Sequence, residues 1–477
     1  MSDPRNYESP LSTRYASARM RELFSAQRKF TTWRRLWIAL AEAERELGLP
    51  ITAAQIAELA AHVDDVDHAS AERYEHELRH DVMAHVHAWG DQCPLARGII
   101  HLGATSCYVT DNCELIVLRD GLRLIREYVV ATIRALRGFA LEWRSLPVLG
   151  LTHFQPAQAT TLGKRACLWL QDLVFNLIDL DHAEAQIRFL GAKGATGSQA
   201  SFLALFEGDH AKVTALDRLV TAKMGFARAF AVTGQTYPRQ LDFRVCQVLC
   251  AIAQSAAKFA VDVRLSAGLG ELEEPFGERQ VGSSAMPWKR NPMRCERIGA
   301  LARHVISTLA DTAHTAANQW FERTLDDSAN RRLSLAEMFL GADAILQLYL
   351  DVAAGLVVHP AIIRARLEAE LPFLGAEILL MAAVRAGADR QDAHERIRVL
   401  SRRAAAARQE GEGNPLRELL AADPLLGPLA RRWDELFDPR RFVGRAPEQV
   451  EEFVAAEVDP LLARCAGVGD ARSEVRV

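Results

Sequence analysis

What this chain lacks narrows its chemistry. Its 477 residues contain no stretch of about 18 uncharged apolar residues, so no membrane span is expected. The segment from Met1 to Arg14 is polar and carries no apolar core of a secretory leader. Basic residues do not outnumber acidic ones (57 against 61, net charge −4), so no basic field awaits nucleic acid or an anionic bilayer. Neither partner is expected, and the chain is read as cytoplasmic. Low-complexity tracts and short internal repeats are absent, and strand alternation is hard to find. The eight cysteines (Cys93, Cys107, Cys113, Cys167, Cys246, Cys250, Cys295 and Cys465) are scattered through helical pattern and read as free, buried thiols. Cys246 and Cys250 fall one helical turn apart, but no His or carboxylate joins them at zinc spacing, so no metal site is expected. The glycine-rich stretch from Gly191 to Gln199 lacks the order of a phosphate loop and follows a helical pattern rather than a strand. It reads as a close-packed connection near a site. With no dinucleotide fingerprint either, no cofactor is expected.

What is present is helix, and the expected fold class is all-α. Between Leu241 and Leu269, the residues Val245, Val248, Leu249, Ile252, Ala256, Phe259 and Val263 recur at three- and four-residue steps. Similar patterns run from about Glu114 to Arg144, Ala159 to Phe189, Pro292 to Trp320 and Asn330 to Val357. These exceed the globular mean of about 11–12 residues. Small and apolar residues on more than one face predict a long-helix bundle that also packs against other copies. Breaks near residues 105 and 358 divide the chain into an N-terminal helical domain (1–105), a central bundle (106–358) and a C-terminal helical domain (359–477).

The run from Gly282 to Pro292, GSSAMPWKRNP, is the most informative stretch. Pro287 removes a donor and Pro292 pushes Asn291 toward extended geometry, so this is a loop. It carries one potential nucleophile or base, Ser283, and one fixed cation, Lys289. That pair suits chemistry in which negative charge develops and must be held. Three further segments join it. His153 stands in the turn GLTHFQPAQ between two long helical patterns, with Thr152 and two Gln side chains able to orient an imidazole. Thr105 and Ser106 lie in HLGATSCYVTDN, where hydroxyls either cap a helix or meet an anion at its start. Arg79, His80 and Asp81 fall within a helical pattern that also shows His85 and His87. Taken alone, that pattern is a solvated charged face.

Together these segments resemble the adenylosuccinate lyase family of the fumarase/aspartase superfamily, in the branch that includes the animal enzymes. The loop matches the superfamily signature GSSxMPxKxNP. The likeness extends to SPLSTRYAS (Ser9 to Ser17), RHDVMAH (Arg79 to His85), TGQTY (Thr233 to Tyr237) and ERTLDDSANRR (Glu322 to Arg332). One departure is Trp288, where the family commonly shows Tyr or His. The resemblance implies a central helical bundle flanked by two smaller helical domains. It also implies elimination of fumarate from adenylosuccinate and from the succinyl-carboxamide ribotide of purine synthesis. By position, Ser283 is implied as general base, His153 as general acid, and Lys289 and His80 as further catalytic residues. Arg14, Tyr15, Arg79, Asp81, Thr105, Ser106, Thr152, Gln235, Asn291, Arg297, Arg323, Ser328 and Arg332 are implied as substrate contacts, and arginine forks suit phosphate and carboxylate. His80, His153 and Ser283 lie 73 and 130 residues apart along rod-like helices. In the superfamily they converge from different subunits, so a homotetramer with shared sites is expected. The alternatives are a sister fumarate-releasing lyase, such as one acting on argininosuccinate, or a non-catalytic structural homologue.

Overall fold

Small polar side chains start the helices by taking N–H groups that the first turn leaves unpaired. Ser25 accepts the Arg28 N–H at the head of α1 (Ala26–Glu46), and Asp67 accepts that of Ser70 at the head of α2 (His68–Leu78). The next cap is an imidazole. His80 Nδ1 accepts the Met83 N–H and starts α3 (Asp81–Gln92). The pattern that reads as one helix through Arg79, His80 and Asp81 is therefore two. Arg79 ends α2 with a left-handed φ of 54°, and the chain restarts at His80. His85 is not on a solvated face. It stacks on Phe30 at 3.7 Å between ring centroids, and burial pushes its pKa down to about 4.

Five long helices follow: α4 (Ser106–Glu142), α5 (Leu162–Gln186), α6 (Gln240–Gly268), α7 (Met293–Ala317) and α8 (Asp327–Gly355). Each covers most of a segment with three- and four-residue apolar spacing. This computed structural model describes residues 5–468 and 471–473; Met1 to Pro4 of the polar N-terminal segment lie outside the described residues. Side-chain pairs fix the helix directions. Arg123 meets Glu184 and Arg126 meets Asp181, so α4 and α5 are antiparallel. Asn330 reaches Asp311 and Arg294 reaches Asp351, so α7 and α8 are antiparallel too. Arg331 meets Glu114, and Arg239 meets both Asp111 and Asp327. The starts of α4, α6 and α8 thus share one end of the bundle, called here the near end. The starts of α5 and α7 lie at the far end.

The axis of this core is α8. Among the described residues it is the one helix long and apolar enough to cross a membrane, and 83% of its most apolar window is buried. A helix apolar on all sides is a core helix when other helices surround it. Tyr349 of α8 stacks on Phe259 of α6 at 4.3 Å, and Trp169 of α5 meets Phe259 edge-on.

Strand does occur, although period-two alternation is scarcely legible in the sequence. β1 (Pro147–Thr152) and β2 (Gln155–Thr161) form an antiparallel hairpin between α4 and α5, and β3 (Leu272–Glu273) pairs with β4 (Val357–Val358). The hairpin is held by tertiary packing. Its Leu149 and Ala159 enter a second apolar core with Leu367 and Leu371 of α9 (Pro360–Leu374) and with Leu379, Trp433 and Phe437 beyond. The chain then returns to the bundle at α10 (Ala446–Phe453). Val450, Val454 and Leu461 join the main core, and Arg137 of α4 pairs with Asp459.

One core residue has a pH consequence. Glu44 of α1 is fully buried, and neither carboxylate oxygen has a hydrogen-bond partner among the described residues. Burial pushes its pKa from 4.5 up to about 8. The folded chain therefore keeps a proton that the unfolded chain releases. The stability this proton represents is complete below pH 4.5 and is lost as pH rises through about 8. The full loss is on the order of 5 kcal/mol. Glu44→Gln should raise the thermal midpoint relative to wild type more at pH 8 than at pH 5. Equal differences at both pH values would show that Glu44 does not titrate this way.

Candidate active site

At the near end, polar residues from four segments meet. Thr105 holds the N-cap position of α4, yet its hydroxyl makes no capping bond, so capping does not occupy it. Ser106 Oγ lies 3.4 Å from His80 Nε2. Because His80 Nδ1 accepts the Met83 N–H at 3.3 Å, a neutral ring carries its proton on Nε2. That N–H faces Ser106. Asp81 accepts Arg332 Nη2 at 3.1 Å, which joins α3 to α8. Gln235 donates to the Ala195 carbonyl at 3.0 Å, and its backbone N–H donates to the Glu322 carbonyl at 2.9 Å. Three coil segments are knitted here by close backbone approach. A Cβ on Gly197 would fall 1.9 Å from the Thr233 carbonyl oxygen, and one on Gly234 would fall 2.5 Å from that of Glu322. The stretch from Gly191 to Gln199 is thus the close-packed connection that its sequence suggested. Arg323 follows Glu322, and Ser328 lies in the first turn of α8.

Beneath these residues lies a buried charge network that sequence reading missed. Arg239 donates through Nη1 to Asp111 at 2.9 Å and through Nε to Asp327 at 2.7 Å. Arg331 donates through Nε to Asp242 at 2.8 Å and through Nη2 to Glu114 at 2.5 Å. Tyr237 donates its hydroxyl to Asp242 at 2.6 Å and its N–H to Asp111 at 3.0 Å. The Arg239 and Asp111 side chains are 1% and 2% exposed. Burial works against the Arg239 charge, and the surrounding anions, Asp111 foremost, outweigh it. The signal was present in part, since Asp111, Tyr237 and Arg331 sit inside the family motifs. Their convergence is not readable from spacing.

The far end carries the other chemistry. His153 and Phe154 are the two loop residues of the β1–β2 hairpin, between the paired Thr152 and Gln155. Their φ angles are 53° and 58°, the left-handed twist that a two-residue hairpin turn of type I′ needs. Both side chains are exposed. Among the described residues, neither Thr152 nor the two Gln side chains hydrogen-bond the imidazole. Ser283 is half-buried, and its Oγ accepts the N–H groups of Met286 at 3.1 Å and Ala285 at 3.3 Å. Asn291 closes the loop on itself by donating to the Gly282 carbonyl at 2.7 Å. The Lys289 ammonium is exposed and pairs with no carboxylate among the described residues. Trp288 is 80% exposed. Arg297, in the first two turns of α7, lies over the Tyr15 ring at 5.8 Å, with Arg14 beside it in the turn Leu11–Tyr15.

One chain does not unite the two ends. α7, 25 residues and about 37 Å long at about 1.5 Å per residue, lies in the chain between Lys289 and Arg323. α4, 37 residues and about 55 Å long, runs from Ser106 toward the strand that leads to His153. Along the flanks of the bundle, Leu168, Phe175 and Ile178 of α5 and Val261 and Leu265 of α6 are exposed. Among the described residues no cluster of three or more His, Cys, Asp or Glu could hold a metal ion.

A family model described as Lyase matches residues 14–307, and one described as Adenylosuccinate lyase C-terminus matches residues 372–453. The chain is 52% identical to the adenylosuccinate lyase of Saccharomyces cerevisiae over 466 residues, covering 97% of each. It is 49% identical to that of Schizosaccharomyces pombe over 467 residues, again covering 97% of each. Among solved structures, the 3-carboxy-cis,cis-muconate lactonizing enzyme of Pseudomonas putida superposes with a TM-score of 0.82 over 95% of this chain and 99% of that one. At 24% identity, that is a likeness of fold. The chain belongs to the adenylosuccinate lyase family of the fumarase/aspartase superfamily.

Proposed function

We infer that the chain is a C–N lyase that eliminates fumarate from adenylosuccinate, leaving AMP, and from succinyl-aminoimidazole-carboxamide ribotide, leaving the aminoimidazole carboxamide ribotide, in purine biosynthesis. The observation that carries this reading is the 52% identity with the Saccharomyces cerevisiae enzyme over 97% of both chains.

Elimination needs a base for the proton beside a carboxylate, donors for the charge that develops, and an acid for the departing nitrogen. Ser283 is our base. A serine hydroxyl is a poor base in water, but its Oγ already accepts two backbone N–H groups, which favour the alkoxide, and Lys289 six residues on supplies a cation. The alkoxide takes the proton, and charge builds on the adjacent carboxylate. The C–N bond then breaks with its electron pair leaving on nitrogen. His153, exposed at the hairpin tip, returns a proton to that nitrogen. The proton on His80 Nε2 and the Ser106 hydroxyl face one another at the near end and suit a substrate carboxylate or phosphate. Arg14, Arg297, Arg323 and Arg332 supply the charge for the phosphate and carboxylates. Arg79, Tyr15, Asp81, Thr105, Thr152, Gln235, Asn291 and Ser328 complete the contacts we assign. Asp81 and Asn291 serve partly by holding Arg332 and the loop.

The separation of near and far ends supports a site built from more than one subunit. Exposed apolar stripes on α5 and α6 fit a shared bundle. We therefore assign a homotetramer whose sites each draw on different subunits. The eight free cysteines suit a reducing compartment, and we place the enzyme in the cytoplasm.

Purified protein given adenylosuccinate should release fumarate with the accompanying absorbance change, and should leave argininosuccinate intact. Turnover of argininosuccinate alone would move the chain to a sister lyase. A folded tetramer active on neither substrate would make it a structural homologue.

A further inference from the structure

The chain leaves the bundle at Pro275, returns at Pro292, and has its two ends fastened to each other. α7 begins at Met293 behind Pro292, which holds the N-cap position and forms no side-chain cap. An N-cap side chain ordinarily takes the N–H groups of the second and third helical residues. Here both are taken from outside the helix. Glu274 Oε1 accepts the Arg294 N–H at 3.0 Å, and Glu274 Oε2 accepts the Cys295 N–H at 3.0 Å. Glu274 is 4% exposed, so water scarcely competes for these bonds. Its charge also faces the positive end of the helix dipole.

Other contacts lock the same stem. The Arg294 guanidinium donates to the Pro275 carbonyl and pairs with Asp351 of α8 at 3.0 Å. Pro275 packs so closely on Gly355 that a Cβ there would meet it at 2.7 Å. Beyond the stem, an ion pair ties the loop to the body. Arg290 meets Glu273 at 3.0 Å, with side chains 56% and 28% exposed, and such a pair holds weakly.

We propose that Glu274 is a positioning residue for the elimination: by capping α7 from the opposite end of the loop, it fixes both roots of the flap that carries Ser283 and Lys289. The proposal rests on reading those two residues as the base and its countercharge. A flap pinned at both roots swings along one path and brings Ser283 to the substrate in one geometry. A flap with a loose root closes in many geometries, few of them reactive.

The test begins with the wild-type enzyme. Amide hydrogen exchange at Arg294 and Cys295 should be strongly protected, unlike the open N–H groups of an uncapped helix start. Rapid exchange at both would overturn the proposal without any variant. Glu274→Gln, whose amide nitrogen cannot accept a hydrogen bond, and Glu274→Leu should then speed exchange at these amides and trypsin cleavage after Arg279, Lys289 or Arg290. They should lower kcat about tenfold or more, with KM changed less, and leucine should act more strongly than glutamine. Faster exchange and cleavage with unchanged kcat would overturn the positioning role. Failure of the underlying reading shows separately, as wild-type turnover by Ser283→Ala.

Discussion

Ser283→Ala and His153→Ala are each expected to lower kcat by about 10²–10⁴-fold, the span of a lost general acid or base. Neither should unfold the protein. Among the described residues Ser283 bonds only to amides of its own loop, and His153 is exposed at a hairpin tip. Mixing the two variants should then restore activity. If a site takes Ser283 from one subunit and His153 from another, random exchange of equal amounts gives about a quarter of sites with both groups intact. The same recovery is expected from Ser283→Ala with His80→Ala. That pair probes the helix geometry directly, because His80 stands at the near end and Ser283 at the far end. No recovery after verified subunit exchange would refute shared sites. Normal turnover by Ser283→Ala would remove the base.

The second large effect concerns the network beneath the near end. Arg239→Met should destabilise the protein by about 3–5 kcal/mol, because it leaves Asp111 and Asp327 buried without their shared cation. The loss should spread to substrate binding. Asp111 also holds the Tyr237 N–H, two residues from Gln235, and Asp327 adjoins Ser328. KM should therefore rise even where enough folded enzyme remains to assay. Arg239→Lys keeps the charge but lacks the fork that reaches both carboxylates, so it should fall between. A thermal midpoint equal to wild type for Arg239→Met would show that the network carries no such load.

How much of this was legible in the sequence varies by element. The five long helices were, because each buries a stripe whose period is written in consecutive residues. The 282–292 loop was legible as a loop, because Pro287 and Pro292 forbid regular helix locally. The break at His80 was not. Arg79 takes a left-handed conformation that its residue type does not announce, and an imidazole serves as a cap where Ser, Thr, Asp or Asn is usual. The β1–β2 hairpin was missed for a related reason. Its turn residues are His and Phe rather than Asn and Gly, and its strands gain stability from a second core supplied by residues beyond 360.

The sequence by itself determined the helical class, the loop that bears a hydroxyl and an ammonium, and the positions matching the family's motifs. These are local properties, set by side-chain period, by proline geometry and by residues adjacent in the chain. Only the tertiary structure decided that Arg239 sits between Asp111 and Asp327, 128 and 88 residues away. It alone put Glu274 on the first turn of α7 and Ser106 against His80. Such pairings depend on the directions of helices 25 to 37 residues long. Those directions follow from the burial of whole faces, a quantity no short window of sequence contains.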